Sequence, residues 1–73
     1  AVALAPTVRV NAISPGPVLS NTTDGAYFAR MREALPVSHT GEPADIERTI
    51  KFLLESPFIT GEELVVDGGL RLL

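Results

Sequence analysis

Residues 9–18 read RVNAISPGPV, and this stretch is the strongest indication of the fold. Its apolar side chains fall on both faces of an extended chain, with Val10 on one face and Ile13 on the other. Such a pattern is typical of a strand covered on both sides, as the strands of parallel sheets are. Pro15 and the glycine after it stop the pattern sharply. We therefore predict a buried strand over residues 7–14 that ends in a stiff turn.

Prolines and glycines divide the rest of the chain into further elements. Residues 1–5 are good helix formers followed by Pro6, which predicts the end of a helix. Apolar side chains recur at helical spacing in two later segments, and Pro43 suits the first turn of the second. The segment ELVVD before two glycines predicts another strand. The predicted helices cover residues 26–35 and 43–54, and the second strand covers residues 63–67, before an apolar tail at residues 70–73.

The order of these elements predicts an α/β fold in which the two strands are parallel, because a long helical crossover joins them. Two buried-type strands do not make a stable sheet alone. A chain of 73 residues without cysteine buries only about 60% of the surface that its unfolded form exposes. Yet 45% of its residues are hydrophobic, too many for a disordered segment. We therefore expect residues 1–73 to be part of a larger core.

Charge and hydropathy exclude several classes of partner. The six Lys and Arg residues are dispersed and the net charge is −3, so no basic face for nucleic acid is expected. The longest apolar run, residues 1–5, is far shorter than the roughly 20 residues of a membrane span. No signal peptide is expected, and the absence of cysteine is compatible with a cytoplasmic location.

Two polar residues invite functional interpretations that the sequence does not favour. His39 is the only histidine, and a metal site would need partners that it lacks, so we expect a solvated loop residue and no metal. Asp67 precedes Gly68 and Gly69, a position where the carboxylate usually accepts hydrogen bonds from turn amides.

Three segments together resemble the C-terminal third of short-chain dehydrogenases/reductases. They are residues 9–18, the segment GEPADI at 41–46 with its helix, and the segments ITG at 59–61 and VVDGG at 65–69. The resemblance covers essentially the whole chain, and the order of all three segments makes it specific. It implies the C-terminal part of a Rossmann-like doubly wound parallel sheet, a bound NAD(H) or NADP(H), a small-molecule substrate and a homotetramer.

The resemblance also implies where the cofactor lies, since ligands of open α/β sheets bind at the carboxyl ends of the strands. The turn after the first strand would contact the nicotinamide end. A backbone amide at Val18 would meet the carboxamide, and Ser20 would supply a hydroxyl two positions later. The implied cofactor-binding residues are Pro15, Gly16, Pro17, Val18 and Ser20.

Residues 21–40 correspond to the variable substrate lid of the family, and Leu19, Tyr27 and Phe28 are the candidates for substrate contact. The spacing of Tyr27 and Phe28 is equally that of a helix that packs on the sheet. A narrower similarity, to pteridine reductases and dihydromonapterin reductases, lies in the ending DGGLRL and in the segment PVL at 17–19. Those enzymes reduce a pterin ring with NADPH, and NADP(H) is accordingly expected over NAD(H).

The family's Gly-rich cofactor turn, catalytic Ser and Tyr-x-x-x-Lys pair have no counterpart in residues 1–73. Tyr27 is the only tyrosine, and Met31 stands where the lysine that lowers the tyrosine pKa would be needed. No catalytic residue is therefore expected in this chain, and the remainder of its own polypeptide would supply them. The hypothesis is a segment of a reductase that acts on a carbonyl or a pterin C=N bond. The alternative is a non-catalytic self-associating module, or a proteolytic fragment without enzyme activity.

Overall fold

The computed structural model describes residues 1–18 and 25–73 and contains a parallel two-stranded sheet with two α-helices. Ala12 lies opposite Glu63 and Pro15 opposite Val66. The parallel pairing predicted from the order of elements is therefore confirmed. The strands are β1 (Ala12–Pro15) and β2 (Glu63–Val66), the helices are α1 (Gly25–Ala34) and α2 (Pro43–Leu54), and short 3-10 helices cover Val2–Leu4 and Leu70–Leu72.

β1 begins later than predicted, because side chains replace most of the backbone ladder before Ala12, where one backbone hydrogen bond remains, from the Gly61 amide to the Val10 carbonyl over 2.8 Å. The Asn11 side chain donates to the Ile59 carbonyl over 3.1 Å and accepts from the Glu62 amide over 3.0 Å. The Val10 amide donates to the Thr60 hydroxyl oxygen rather than to a carbonyl. The predicted strand over residues 7–14 was therefore wrong at its amino end, where the chain is held without regular pairing.

β1 also extends one residue further than predicted, to Pro15. The amides of Ala12 and Gly16 donate to β2-side carbonyls, those of Glu62 and Val66, over 2.8 and 2.9 Å. Because a strand alternates its donors between its two edges, the nitrogen of Pro15 faces away from β2. The missing N–H of the proline therefore removes no hydrogen bond between the two strands.

The two helices lie where the sequence predicts them. α2 has the predicted bounds, with Pro43 as its first residue and the Asp45 carboxylate accepting from the Glu42 amide over 2.7 Å. α1 is displaced by one residue from its predicted range. The predicted helix end at residues 1–5 is a 3-10 turn instead, in which the Leu4 amide donates to the Ala1 carbonyl. Short 3-10 turns of this kind are common both as connectors and at helix ends.

Arg9, three residues before β1, holds the carboxyl end of α2 and the segment that follows it. One guanidinium nitrogen lies 3.0–3.2 Å from the carbonyl oxygens of Leu53, Ser56 and Ile59. The other lies 3.3 Å from the carbonyl of Leu54. These carbonyls include groups that the helix cannot pair internally, and the positive charge suits the negative end of the helix dipole.

Few apolar side chains in the described part of the chain are buried: they are Pro17, Phe28, Leu35 and Leu53. The accessible surface is 5365 Å², against about 4,400 Å² for a folded monomer of this mass. The radius of gyration is 14.8 Å, against about 11 Å for a compact domain of this length. Phe58 is fully exposed. The expectation that further strands complete this core stays a prediction. No helix among residues 1–18 and 25–73 is long and apolar enough to cross a membrane.

Candidate functional site

The turn at Pro15–Val18 lies at the carboxyl edge of the sheet, the edge where open α/β folds bind ligands. Its path is fixed on two sides. The Gly16 amide donates to Val66 at the end of β2, and the Pro17 carbonyl accepts from the Gly41 amide over 2.8 Å. Val18 forms an isolated bridge with Gly41, and Pro17 is buried. The turn is therefore a rigid segment rather than a free loop.

Gly16 packs directly on the end of β2. A Cβ atom at this position would lie 2.6 Å from the Asp67 Cα and 2.7 Å from its Cβ. Real Cβ atoms do not approach backbone so closely, so either a side chain is absent here or the two strand ends separate. The family resemblance implies a cofactor contact at Gly16, which stays a prediction, and the structure adds a packing reason for the glycine.

Asp67 organises the turn that follows β2. Its carboxylate accepts from the Gly69 amide over 2.8 Å and from the Arg71 amide over 3.0 Å, with the Arg71 guanidinium 3.3 Å away. Burial raises the pKa of Asp67, but the two amides and the Arg71 charge outweigh it and hold the pKa below the usual 3.8. The predicted role of this aspartate as an acceptor for turn amides is confirmed.

A cavity of about 520 Å³ adjoins the turn. Pro17 and Val18 line it on one side, and its walls are mainly apolar with a rim of polar side chains. Its other walls come from the segment after α1 (Leu35, Val37, His39, Gly41), from α2 (Asp45, Arg48, Thr49, Phe52) and from β2 and its end (Leu64, Val65, Val66, Asp67, Gly68).

The polar rim of the cavity is already engaged within the protein. Asp45 forms an ion pair with Arg48 and accepts from the Glu42 amide. The Glu42 amide is the main cause of the lowered pKa of Asp45, partial burial opposes it, and the Arg48 charge adds to it. His39 is exposed and lies beside the Thr40 carbonyl, as expected for a loop residue. Across residues 1–18 and 25–73, no cluster of three or more His, Asp or Glu side chains is placed to hold a metal.

The lid candidates are placed differently. Phe28 is buried and Tyr27 is 39% exposed, and their rings meet edge to face with centroids 5.2 Å apart. Neither lines the cavity. Leu19, Ser20 and residues 21–24 lie outside the described residues, so the substrate contact at Leu19 and the cofactor contact at Ser20 stay predictions.

Sequence reasoning missed two features of this edge, namely the support of the turn by Gly41 and the contact of Gly16 with Asp67. For the support of the turn by Gly41 there was a local signal, because this glycine immediately precedes Glu42, the residue that caps the start of α2. No local pattern signals the second, because the two residues are far apart in the sequence.

The family model described as enoyl-(acyl carrier protein) reductase matches residues 1–71. Carbonyl reductase family member 4 of Danio rerio is 44% identical over 66 residues, covering 90% of this chain and 28% of the relative. The human 3-oxoacyl-[acyl-carrier-protein] reductase is 41% identical over 66 residues, with the same shares. The chain therefore spans less than a third of the length of these relatives.

Solved structures give the same answer for the fold. A small-chain dehydrogenase in complex with NADPH superposes with a TM-score of 0.90 at 35% identity, covering 99% of this chain and 36% of that one. The FolM alternative dihydrofolate reductase 1 from Brucella suis, in complex with NADP, superposes with a TM-score of 0.86 at 40% identity, covering 99% and 30%. By a family match over nearly its whole length and by these likenesses, the chain belongs to the short-chain dehydrogenase/reductase family.

Proposed function

We propose that this chain is the C-terminal part of an NADP(H)-dependent reductase and that its turn at Pro15–Val18, with Ser20, forms one wall of the nicotinamide site. The observation that carries the proposal is the position of the turn, which follows β1 at the carboxyl edge and is held from two sides. Backbone amides and a short hydroxyl are groups that orient a neutral carboxamide. A rigid turn holds them in place before the cofactor arrives, which lowers the cost of binding.

The relatives support the choice of cofactor. One solved relative holds NADPH and another holds NADP, and each superposes on 99% of this chain. When bound, the nicotinamide would supply the hydride. The chain's own contribution is to hold the carboxamide end against the sheet edge, while Tyr27 and Phe28 lie on the lid side. We propose that the acid and base of the reaction are supplied by the remainder of the polypeptide.

The substrate we propose is a small molecule with a carbonyl or a pterin C=N bond. Carbonyl and 3-oxoacyl reductases among the relatives favour the first. The FolM dihydrofolate reductase, at 40% identity, favours the second. We also propose a homotetramer in the cytoplasm, with no nucleic-acid or membrane partner.

The test is an assay on the gene product that contains this chain. Intact mass first establishes how much polypeptide accompanies the 7.8 kDa segment. NADPH binding is then titrated, and NADPH consumption is followed with a 3-oxoacyl thioester and with a dihydropterin in parallel. We expect NADPH binding and turnover of one substrate, and neither from the isolated 73-residue chain. A longer gene product that does not bind NADP(H) would contradict the proposal.

One observation favours a second function, self-association without catalysis: about 1,000 Å² more surface is exposed than a folded monomer of this mass presents. An exposed apolar face and open strand edges promote association. A gene product of 7.8 kDa that sediments as an oligomer and binds no NADPH would establish this alternative.

A further inference from the structure

The turn formed by Asp67, Gly68 and Gly69 lies between two segments to which the proposed function gives separate tasks. On one side it touches the Pro15–Val18 turn, where a side chain at position 16 would have no room against the Asp67 backbone. The contact is backbone against backbone, so no rotation of a side chain can relieve a displacement. The position of Gly16 therefore follows the position of Asp67.

On its other side the same turn touches the segment that ends the lid. A Cβ on Gly68 would lie 2.9 Å from the Val37 side chain, and a Cβ on Gly69 would lie 2.6 Å from the Pro36 ring. The Val37 amide also donates to the Gly68 carbonyl over 3.3 Å. Pro36 and Val37, which follow α1 and Leu35, therefore pack directly on this turn.

The Asp67 carboxylate fixes the shape of the turn. Its side chain is 9% exposed and accepts from the amides of Gly69 and Arg71. Gly68 and Gly69 both have positive φ angles, 64° and 94°, which residues other than glycine rarely adopt. Within residues 1–18 and 25–73 the Gly69 amide donates to this carboxylate, so without it these two glycines would sample other conformations.

We propose that Asp67 is a positioning residue for the reductase site. It shapes one turn that fixes the position of the Pro15–Val18 turn, through Gly16, and the position of the base of the lid, through Pro36 and Val37. The proposal rests on the proposed function of the Pro15–Val18 turn. Asp67 itself touches neither ligand in this arrangement. Its loss should weaken cofactor binding and substrate binding together, because the Pro15–Val18 turn and the base of the lid both pack on the turn that Asp67 shapes.

The experiment compares Asp67→Ala and Asp67→Asn with the unchanged gene product. The alanine removes every acceptor, whereas the amide oxygen of asparagine still accepts from Gly69. We expect Asp67→Ala to raise the Kd for NADPH and the KM for substrate about tenfold each, and Asp67→Asn, which keeps one acceptor, to raise each about threefold. Binding is titrated on protein whose folded state is verified by circular dichroism.

Arg9→Ala is the matched control, since it loosens the opposite end of β1 and lies far from the turn. We expect it to lower the unfolding midpoint while the Kd for NADPH stays within about twofold. A general loss of stability would instead raise the Kd in both variants.

The outcomes separate the two proposals. If the unchanged protein does not bind NADPH, the proposed function fails. If it binds NADPH and the two Asp67 variants bind NADPH and substrate as well as it does, the positioning role fails and the function stands. Equal effects of Asp67→Ala and Arg9→Ala on the Kd also overturn the positioning role. If Asp67→Ala does not fold, Asp67→Asn decides, by an increase of about threefold in both constants.

Discussion

The two ends of the short sheet are held together by different means. At the amino end, the side chains of Arg9 and Asn11 donate to backbone carbonyls of the segment before β2, beside a single backbone hydrogen bond from the Gly61 amide to the Val10 carbonyl. At the carboxyl end, the backbone at Gly16 meets the backbone at Asp67 with no space for a Cβ atom. Side-chain bridges tolerate small shifts, because rotatable bonds absorb them. Direct backbone contact transmits a shift in full.

This difference matches the tasks of the two ends. In open α/β folds the carboxyl edge binds ligands, where a displacement of 1 Å can cost a large part of the activity. The amino end needs only to stay closed. We therefore expect substitutions at the amino end to change stability alone and substitutions at the carboxyl end to change binding as well. The contrast can be tested on the gene product that contains the chain.

The largest effect on stability is expected from Gly69→Ala. The added methyl group meets the Pro36 ring at 2.6 Å, and the φ of 94° is strained for any residue with a side chain. We expect a loss of about 3 kcal/mol in the free energy of unfolding, measured by urea denaturation. Gly25→Ala is the control, because nothing lies within 4 Å of its Cβ, and it should change stability little. Equal effects would show that the carboxyl end is not tightly packed.

Arg9→Ala should have the next largest effect. It removes the guanidinium donors from four backbone carbonyls, two in the last turn of α2 and two in the segment after it, while water can satisfy part of the freed carbonyls. We expect a loss of about 2 kcal/mol in the free energy of unfolding. Arg30→Ala, an exposed position on α1, serves as the control for loss of charge alone. A loss below about 0.5 kcal/mol would mean that the Arg9 bridge contributes little.

Asn11→Ala should cost about 1 kcal/mol, since one neutral amide donates to Ile59 and accepts from Glu62. Asn11→Asp keeps the acceptor for the Glu62 amide and loses the donor to Ile59. Comparison of the two variants by urea denaturation at neutral pH separates the two hydrogen bonds. Neither variant should change NADPH binding, and a change would contradict the division of tasks between the two ends.

The smallest effect on the free energy of unfolding is expected from acid, through the carboxylate of Asp67 at the carboxyl end. The folded pKa of Asp67 lies below its usual 3.8, so the carboxylate stabilises the fold above that pH. This stability is lost as the pH falls through the folded pKa, and Asp45 behaves in the same way. Unfolding midpoints measured between pH 6 and pH 3 (roughly the range over which carboxylates protonate) should fall less in Asp67→Asn than in the unchanged protein. An equal fall would show that Asp67 is not linked to folding.

How much of this the sequence predicts depends on the range of the interaction. α2 was predicted with its bounds, because Pro43 and the apolar stripe are local signals. The role of Asp67 was predicted for the same reason. The start of β1 was not, since it depends on whether a distant segment pairs through backbone or through the Asn11 side chain. The contact of Gly16 with Asp67 is likewise visible only in three dimensions, although the resemblance to the family had marked Gly16.

Pro15 has a consequence for any strand that joins β1 from its open side. The open edge of β1 presents the nitrogen of Pro15, which carries no hydrogen and so has nothing to donate. A neighbouring strand can run along Ile13 but loses its partner two residues later. Regular pairing along this edge would therefore end at Pro15, the residue at which the turn Pro15–Val18 begins.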